Sequence, residues 1–305
     1  MRRLLILHAI AATALLAPKR RRRAPTKDDG WRERSPPTAP LAPRTDHDWT
    51  SGAPADAACW PSISVVTITR DRADFLAEAL VSMARQDYPR GRVEVLVAED
   101  GASAADNGAG AAPPDMDDST GSEPLPNVRY LAHPARQRLG AKRNACLRRA
   151  TGELVATWDD DDYFAPNRLR AQAAELMRGG DVCFLGADAT YRFDVSDGEF
   201  RENRGGSFVQ PCTMMFKREL WGPKTRYDDG ADLGEDLAFL DALLENGATV
   251  TTADVPFVRV RHDRNVAQDA AGDGDEGVVA ARAAAAACGL PARTVDFLAG
   301  LSSAT

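Results

Sequence analysis

Four consecutive aspartates, Asp159 to Asp162, stand between the apolar run Leu154–Trp158 and an aromatic-proline turn, Tyr163-Phe-Ala-Pro166. Carboxylates this close repel one another. At the end of a β-like segment they cannot relieve that repulsion by spreading into solvent. A divalent cation relieves it, because hard cations take oxygen ligands. A cation held there can in turn grip a diphosphate. A bare acid run reads as a solvated turn; the flanking strand and Pro166 favour the cation.

Other residues invite the same two-way reading. Asp100 follows Glu99 at the end of the run Val93–Ala98 and precedes Gly101. It caps a turn or accepts a hydrogen bond from a ligand. Lys142 and Arg143 lie near the start of a basic helix, as solvated surface or as anion contacts at a helix end that already favours anions. Glu235 and Asp236 open an amphipathic helix, where acids suit the macrodipole. Thr69 and Arg70 end the first strand. His262 ends a late one, as a satisfied polar group, a metal ligand or a phosphate contact.

The elements that must position these groups are legible as patterns. Ser62–Thr69 is a short β-branched run, the mark of a buried strand. Asp71–Gln86 carries Phe75, Leu76, Ala79, Leu80 and Met83 on one helical face. Val93–Ala98 is a second strand, so the order β-α-β implies a parallel sheet. Val128–Leu131 reads as a strand, Gln137–Ala150 as a helix and Leu154–Trp158 as the next strand. The aspartates therefore sit at a carboxyl edge, where open α/β sheets bind ligands. Further on, the patterns predict a helix to Met177, a strand over Asp181–Gly186 and a hairpin over Tyr191–Arg204. A strand over Phe208–Phe216, a turn over Arg218–Trp221 and a helix over Gly234–Glu245 follow. Strands over Thr249–Thr252 and Pro256–Val260 come next, and an Ala-rich helix over 276–288 precedes a weakly specified tail.

The 305 residues have ordinary globular composition, 44% hydrophobic and 27% charged. Residues 1–44 hold eleven Lys/Arg against three acids, whereas the remainder holds 27 against 42. A body that acidic is a poor partner for a nucleic-acid backbone. The five cysteines are scattered without zinc spacing, and Cys183 and Cys212 read as buried thiols. Leu4–Ala17 is apolar but too short for a confident span. Signal peptide, signal anchor, organellar transit segment and plain basic leader all stay open. Localisation therefore stays open among the cytoplasm, a membrane reached through residues 4–17, the secretory pathway (Golgi) and an organelle. Residues 1–58 read as a basic leader plus disordered stem, 59–268 as one α/β domain and 269–305 as a C-terminal helix and tail. Residues 101–126 read as a flexible surface insertion.

Several short motifs now fall in order. They are Ser64-Val-Val-Thr-Ile-Thr-Arg-Asp-Arg72, Glu99-Asp100-Gly101, Gly140-Ala-Lys-Arg-Asn144, Ala150-Thr-Gly-Glu153, Trp158 with the four aspartates, Glu235-Asp236 and Arg261-His262. Together they resemble a family 2 glycosyltransferase with a GT-A fold, over about Ser62 to Asn265. The resemblance implies an α/β, Rossmann-like fold. A mainly parallel central sheet would carry helices on both faces, beside a smaller acceptor-side sheet. It implies a nucleotide-diphospho-sugar donor, a UDP-sugar in the first instance, and a glycan, lipid or protein acceptor. The cofactor would be Mn²⁺ or Mg²⁺, held by Asp161 with Asp162 and His262. Thr69, Arg70, Asp100, Arg143, Asp159 and Asp160 would bind the donor, Asp100 at the base and Asp159 at the ribose. Where the family has Thr-Tyr-Asn this chain has Thr69-Arg70-Asp71, so a guanidinium replaces the stacking aromatic. Asp236 would be the general base of an inverting displacement. The rival readings are a nucleotidyltransferase, disfavoured by the glycine-free turn Arg70-Asp71-Arg72, and a non-catalytic nucleotide-sugar or carbohydrate-binding module.

Overall fold

A computed structural model of the protein describes residues 29–33, 41, 44–101, 127–186, 189–204, 210–262 and 275–303. The apolar segment 4–17, the insertion 102–126 and the start of the strand expected at 208 lie outside the described residues. Among the described residues no helix is long and apolar enough to cross a membrane.

The chain builds its sheet outward from β2 (Ile63–Thr69), a strand buried at every residue. After β2, helix α1 (Ala73–Ala84) crosses over to β3 (Val93–Asp100), and β4 (Val128–His133) follows on the same side. After helix α2 (Leu139–Leu147), the chain returns to the other flank of β2 as β5 (Leu154–Thr157). β2, β3, β4 and β5 are mutually parallel. Because the winding reverses between β2 and β5, their carboxyl ends open a crevice at a topological switch point. The acid run begins two residues after β5.

Beyond β5 lie β10 (Met215–Lys217), antiparallel, then β7 (Val182–Leu185) and β11 (Val250–Ala253), parallel to each other. Side-chain alternation divides the core. Ile63 and Val65 with Val93, Val95 and Val97 face α1 and α3 (Arg168–Met177). Val66, Ile68, Leu96 and Ala98 face α2 and α4 (Glu235–Glu245). A period of two along each strand thus loads both faces, which is why these strands read as continuous apolar runs.

A second sheet has the order β13-β9-β8-β12-β6. Its strands are β6 (Tyr163–Phe164), β8 (Ala189–Asp194), β9 (Glu199–Arg204), β12 (Phe257–Arg261) and β13 (Asp275–Val279). With α5 (Ala281–Cys288) and α6 (Ala292–Ser303) it closes a separate core around Phe75, Tyr163, Phe193, Phe200, Val258 and Leu298. The expected α/β, GT-A layout is the one found: a large sheet covered on both faces and a smaller second sheet.

Four local readings change. Residues 276–279 belong to β13, not to the Ala-rich helix, because they pair with the edge of β9. The tail forms α6, tied down by Arg293 and Thr294, which both donate to the buried Glu78 carboxylate at 2.6 and 2.9 Å. Residues 44–58 are no loose stem. Trp49 is buried edge-on against Trp60 at 5.1 Å, and β1 (Arg32–Glu33) pairs with β4 while Trp31 is buried. A leader whose average composition is polar still docks where its few tryptophans find apolar surface. Near 208–216, a 3-10 turn at Pro211–Thr213 precedes the short β10.

Candidate active site

The acid turn hangs from the carboxyl end of β5. Trp158 is fully buried and its N–H donates to Val66 O at 2.9 Å, continuing the β2 pairing. The Asp162 N–H then donates to Asp159 O at 3.3 Å. This turn brings the Asp159 and Asp162 side chains to one side, where their carboxylates and the Cys212 thiol lie within 4.8 Å of one another. Asp160 and Asp161 point to the other side. Beneath, the fully buried Arg168 donates to Thr157 O at 2.6 Å, Cys212 O at 3.3 Å and Gln172 Oε1 at 3.1 Å, and lies over the Phe164 ring.

Three of the four acids, Asp159, Asp160 and Asp161, are paired with a cation from elsewhere in the chain. Arg72 forks across Asp160 and Asp161, reaching the latter at 3.0 Å. Thr69 Oγ1 donates to the second Asp160 oxygen at 2.6 Å. His262 Nε2 meets Asp161 Oδ2 at 3.0 Å and packs, tilted, against Phe75 at 5.0 Å between ring centres. Arg143 lies 3.3 Å from Asp159 and 3.2 Å from Glu235. Lys142 pairs with the fully buried Asp100 and donates to Thr69 O at 2.8 Å. The Gln137 N–H, just ahead of α2, donates to the other Asp100 oxygen at 2.5 Å.

These environments set the charge states. Burial pushes the Asp160 carboxyl up to about 7, against the pull of Arg72. Asp162 is raised well above the usual range by burial and by the Asp161 and Asp159 charges. Burial also acts to raise Asp161, but the His262 hydrogen bond and Arg72 overcome it and hold the carboxyl low. Burial raises Asp236, with Arg143 opposing. Glu235 is likewise raised by burial. Burial and neighbouring Asp162 push the Cys212 thiol up.

The fate of the expected site residues is therefore specific. Thr69, Asp160, Asp161 and His262 share one knot. Asp159, Arg143 and Asp236 share another, Asp236 lying within electrostatic reach of both others. Asp100 joins the first knot through Lys142 and Thr69. One expectation changes. The trio Asp161, Asp162 and His262 is split, because the turn sends Asp162 to Asp159 and Cys212 while Asp161 engages Arg72 and His262. Arg70 is exposed, 3.6 Å from Asp71, and within electrostatic reach of Lys142. Sequence reasoning missed Arg72, Cys212, Tyr227 and Arg168. Tyr227 is buried with its ring 5.8 Å below the Arg143 guanidinium. The signal for Arg72 was its place immediately after the first strand, shared with Arg70. That for Cys212 was only an apolar neighbourhood.

A doubly covered α/β sheet with an acidic turn at its switch point defines the architectural class of this protein. The chain belongs to Glycosyl transferase family 2, whose model matches residues 64–225, just over half of its length. It is 26% identical over 211 residues to the succinoglycan biosynthesis protein ExoO of Rhizobium meliloti, covering 61% of this chain and 57% of that protein. The chain thus matches a little over half of that relative's length. Among solved structures it is similar to S. aureus TarS 1-349 in complex with UDP-GlcNAc, at 18% identity and a TM-score of 0.49 over 67% of this chain and 60% of that one. It is also similar to the mannosyltransferase PcManGT from Pyrobaculum calidifontis in complex with GDP-Man and Mn²⁺, at 20% identity and a TM-score of 0.48 over 72% and 63%.

Proposed function

We propose that the chain is an inverting, metal-assisted glycosyltransferase that moves a sugar from a nucleotide-diphospho-sugar, a UDP-sugar in the first instance, to an acceptor hydroxyl on a glycan, lipid or protein. What carries this reading is the acid turn at the switch point of a family 2 chain, with Asp159, Asp162 and Cys212 close enough to share one ion. The two carboxylates are hard oxygen donors that suit Mn²⁺ or Mg²⁺, whereas the Cys212 thiol is a soft ligand. Asp159, Asp162 and Cys212 are the residues that would hold the ion, with Asp161 and His262 on the other side of the turn. When bound, a divalent ion neutralises charge developing on the departing diphosphate.

The chain's own residues supply the rest. Arg143, midway along α2, offers a guanidinium to the diphosphate. Asp100 sits at the end of β3 where a base would dock, and Lys142 shares its carboxylate. Asp236 takes the proton of the acceptor hydroxyl as that oxygen attacks the anomeric carbon. Its Oδ1 accepts the Leu237 N–H at 2.7 Å, which fixes the carboxylate at the start of α4. Burial raises its pKa, which brings its basicity closer to neutral pH. The transferase unit is assigned to residues 59–268, with 269–305 as the C-terminal segment.

The test is sugar transfer from a panel of nucleotide-sugars with Mn²⁺, in wild type and Asp236→Asn. Loss of a proton acceptor lowers kcat on the order of 10²- to 10⁴-fold. Nucleotide diphosphate binding, followed by thermal shift, should persist in the variant. An unchanged kcat removes Asp236 as base, and a product of retained anomeric configuration removes the single displacement.

A further inference from the structure

We propose that Arg72 is a built-in counter-cation of the acid turn, holding Asp160 and Asp161 in the metal-free protein and weakening the binding of a divalent ion at the neighbouring carboxylates. The inference rests on the reading of that turn as a cation site. Arg72 follows β2 at the bend where Asp71 takes a left-handed backbone, φ 50°. From there its guanidinium spans two adjacent acids, Asp160 and Asp161, from a side chain only 18% exposed. It lies 5.8 Å over the Phe75 ring, which also carries His262. Phe75 thus presents both groups that meet Asp161.

The weakening follows from occupancy and charge. Asp161 Oδ2 accepts from Arg72 at 3.0 Å and from His262 at 3.0 Å. Asp160 has one oxygen on Arg72 and the other on Thr69. An incoming ion that uses Asp161 meets an oxygen already shared by two donors, one of them permanently charged. Two cations on neighbouring carboxylates repel through an interior where screening is weak. The bound guanidinium and the bound ion therefore weaken each other, and the coupling is reciprocal. Without the ion, Arg72 is what lets Asp160 and Asp161 stay folded side by side.

The experiment uses the full chain as wild type, Arg72→Ala and Arg72→Lys. Free Mn²⁺ is counted by electron paramagnetic resonance during titration, and Tm is read in EDTA and in saturating Mn²⁺. The expected result is that Arg72→Ala binds Mn²⁺ about tenfold more tightly, a coupling of ordinary size. Its Tm should fall in EDTA and recover with Mn²⁺. Arg72→Lys, with the charge but not the fork, should lie between. If Arg72→Ala fails to fold in EDTA, its rescue by Mn²⁺ during refolding supports the proposal, and a failure of rescue opposes it. Wild type that binds Mn²⁺ while both variants bind equally or more weakly overturns the weakening alone. No Mn²⁺ binding by any of the three overturns the cation site itself, and the inference with it.

Discussion

Replacing Gly140 by alanine sets two local effects against each other. In an exposed helix the change favours the folded state by about 1 kcal/mol, because glycine gives up more backbone freedom. At this position a Cβ would fall inside the van der Waals envelope of the Asp228 carbonyl oxygen, a backbone atom that cannot turn aside. The loop of residues 227–232 must then lift from α2. Besides the Arg138–Asp232 pair, four bonds from α2 hold it there: Gly140 N–H to Ala231 O at 3.2 Å, Leu139 N–H to Asp232 at 3.3 Å, and Asn144 to Tyr227 O and Asp229, both at 2.8 Å. Losing three at about 1 kcal/mol each outweighs the propensity gain and leaves a net loss of about 2 kcal/mol. That loss is of the size expected for overpacking. The loop leads directly into Glu235 and Asp236, so a shift near 1 Å should also lower kcat on the order of a hundredfold. Urea denaturation with a fixed m-value measures the first effect, and initial rates at saturating donor measure the second. A variant more stable than wild type by about 1 kcal/mol, with kcat intact, would mean that this loop does not rest on α2, and the account of how Asp236 is positioned would be wrong.

Two further outcomes follow from the same site. Arg143 opposes the burial that raises Asp236, so Arg143→Gln should raise that carboxyl further. As a base works only when deprotonated, the acidic limb of kcat/KM should move to higher pH; a limb that stays put or moves down separates the two residues. Cys212→Ser exchanges a soft ligand for a hard one, so Cd²⁺ affinity should fall by tenfold or more while Mg²⁺ affinity holds; calorimetric titration showing equal losses for both ions removes the thiol from the site.

The central sheet was legible because its strands are buried on both faces and its helices keep one apolar face. Ile63–Thr69, Val93–Asp100 and Leu154–Thr157 fall within two or so residues of the runs seen in the sequence. What failed was whatever depends on a distant partner. Asp275–Val279 is a strand only because the β9 edge is there to receive it. Trp31 and Trp49 sit in polar surroundings that hide their docking. The acid turn shows the same split. Its place at a carboxyl edge could be read from the flanking strand and proline. The partners could not: Arg72 is 88 residues from Asp160, and Glu235 is 92 from Arg143. Nor could the facing of Asp162, which is set by one backbone hydrogen bond across the turn.

The opening expectation that crowded carboxylates call for a divalent ion meets a second remedy in the folded chain. Arg72, Lys142 and Arg143 each clamp acids of the crevice. Yet Asp100, Asp159 to Asp162, Glu235 and Asp236 outnumber those three cations. Part of the surplus is absorbed by protonation, since burial raises Asp160, Asp162, Glu235 and Asp236. That relief fails when a diphosphate enters, because its charges would face acids that are still only partly neutralised. On the function proposed above, a divalent ion delivered with the donor would supply the missing charge without freezing it in place, whereas a further buried arginine would hold the product diphosphate as firmly as the substrate. On this argument the internal cations are matched to the empty crevice, and the exchangeable ion to the occupied one.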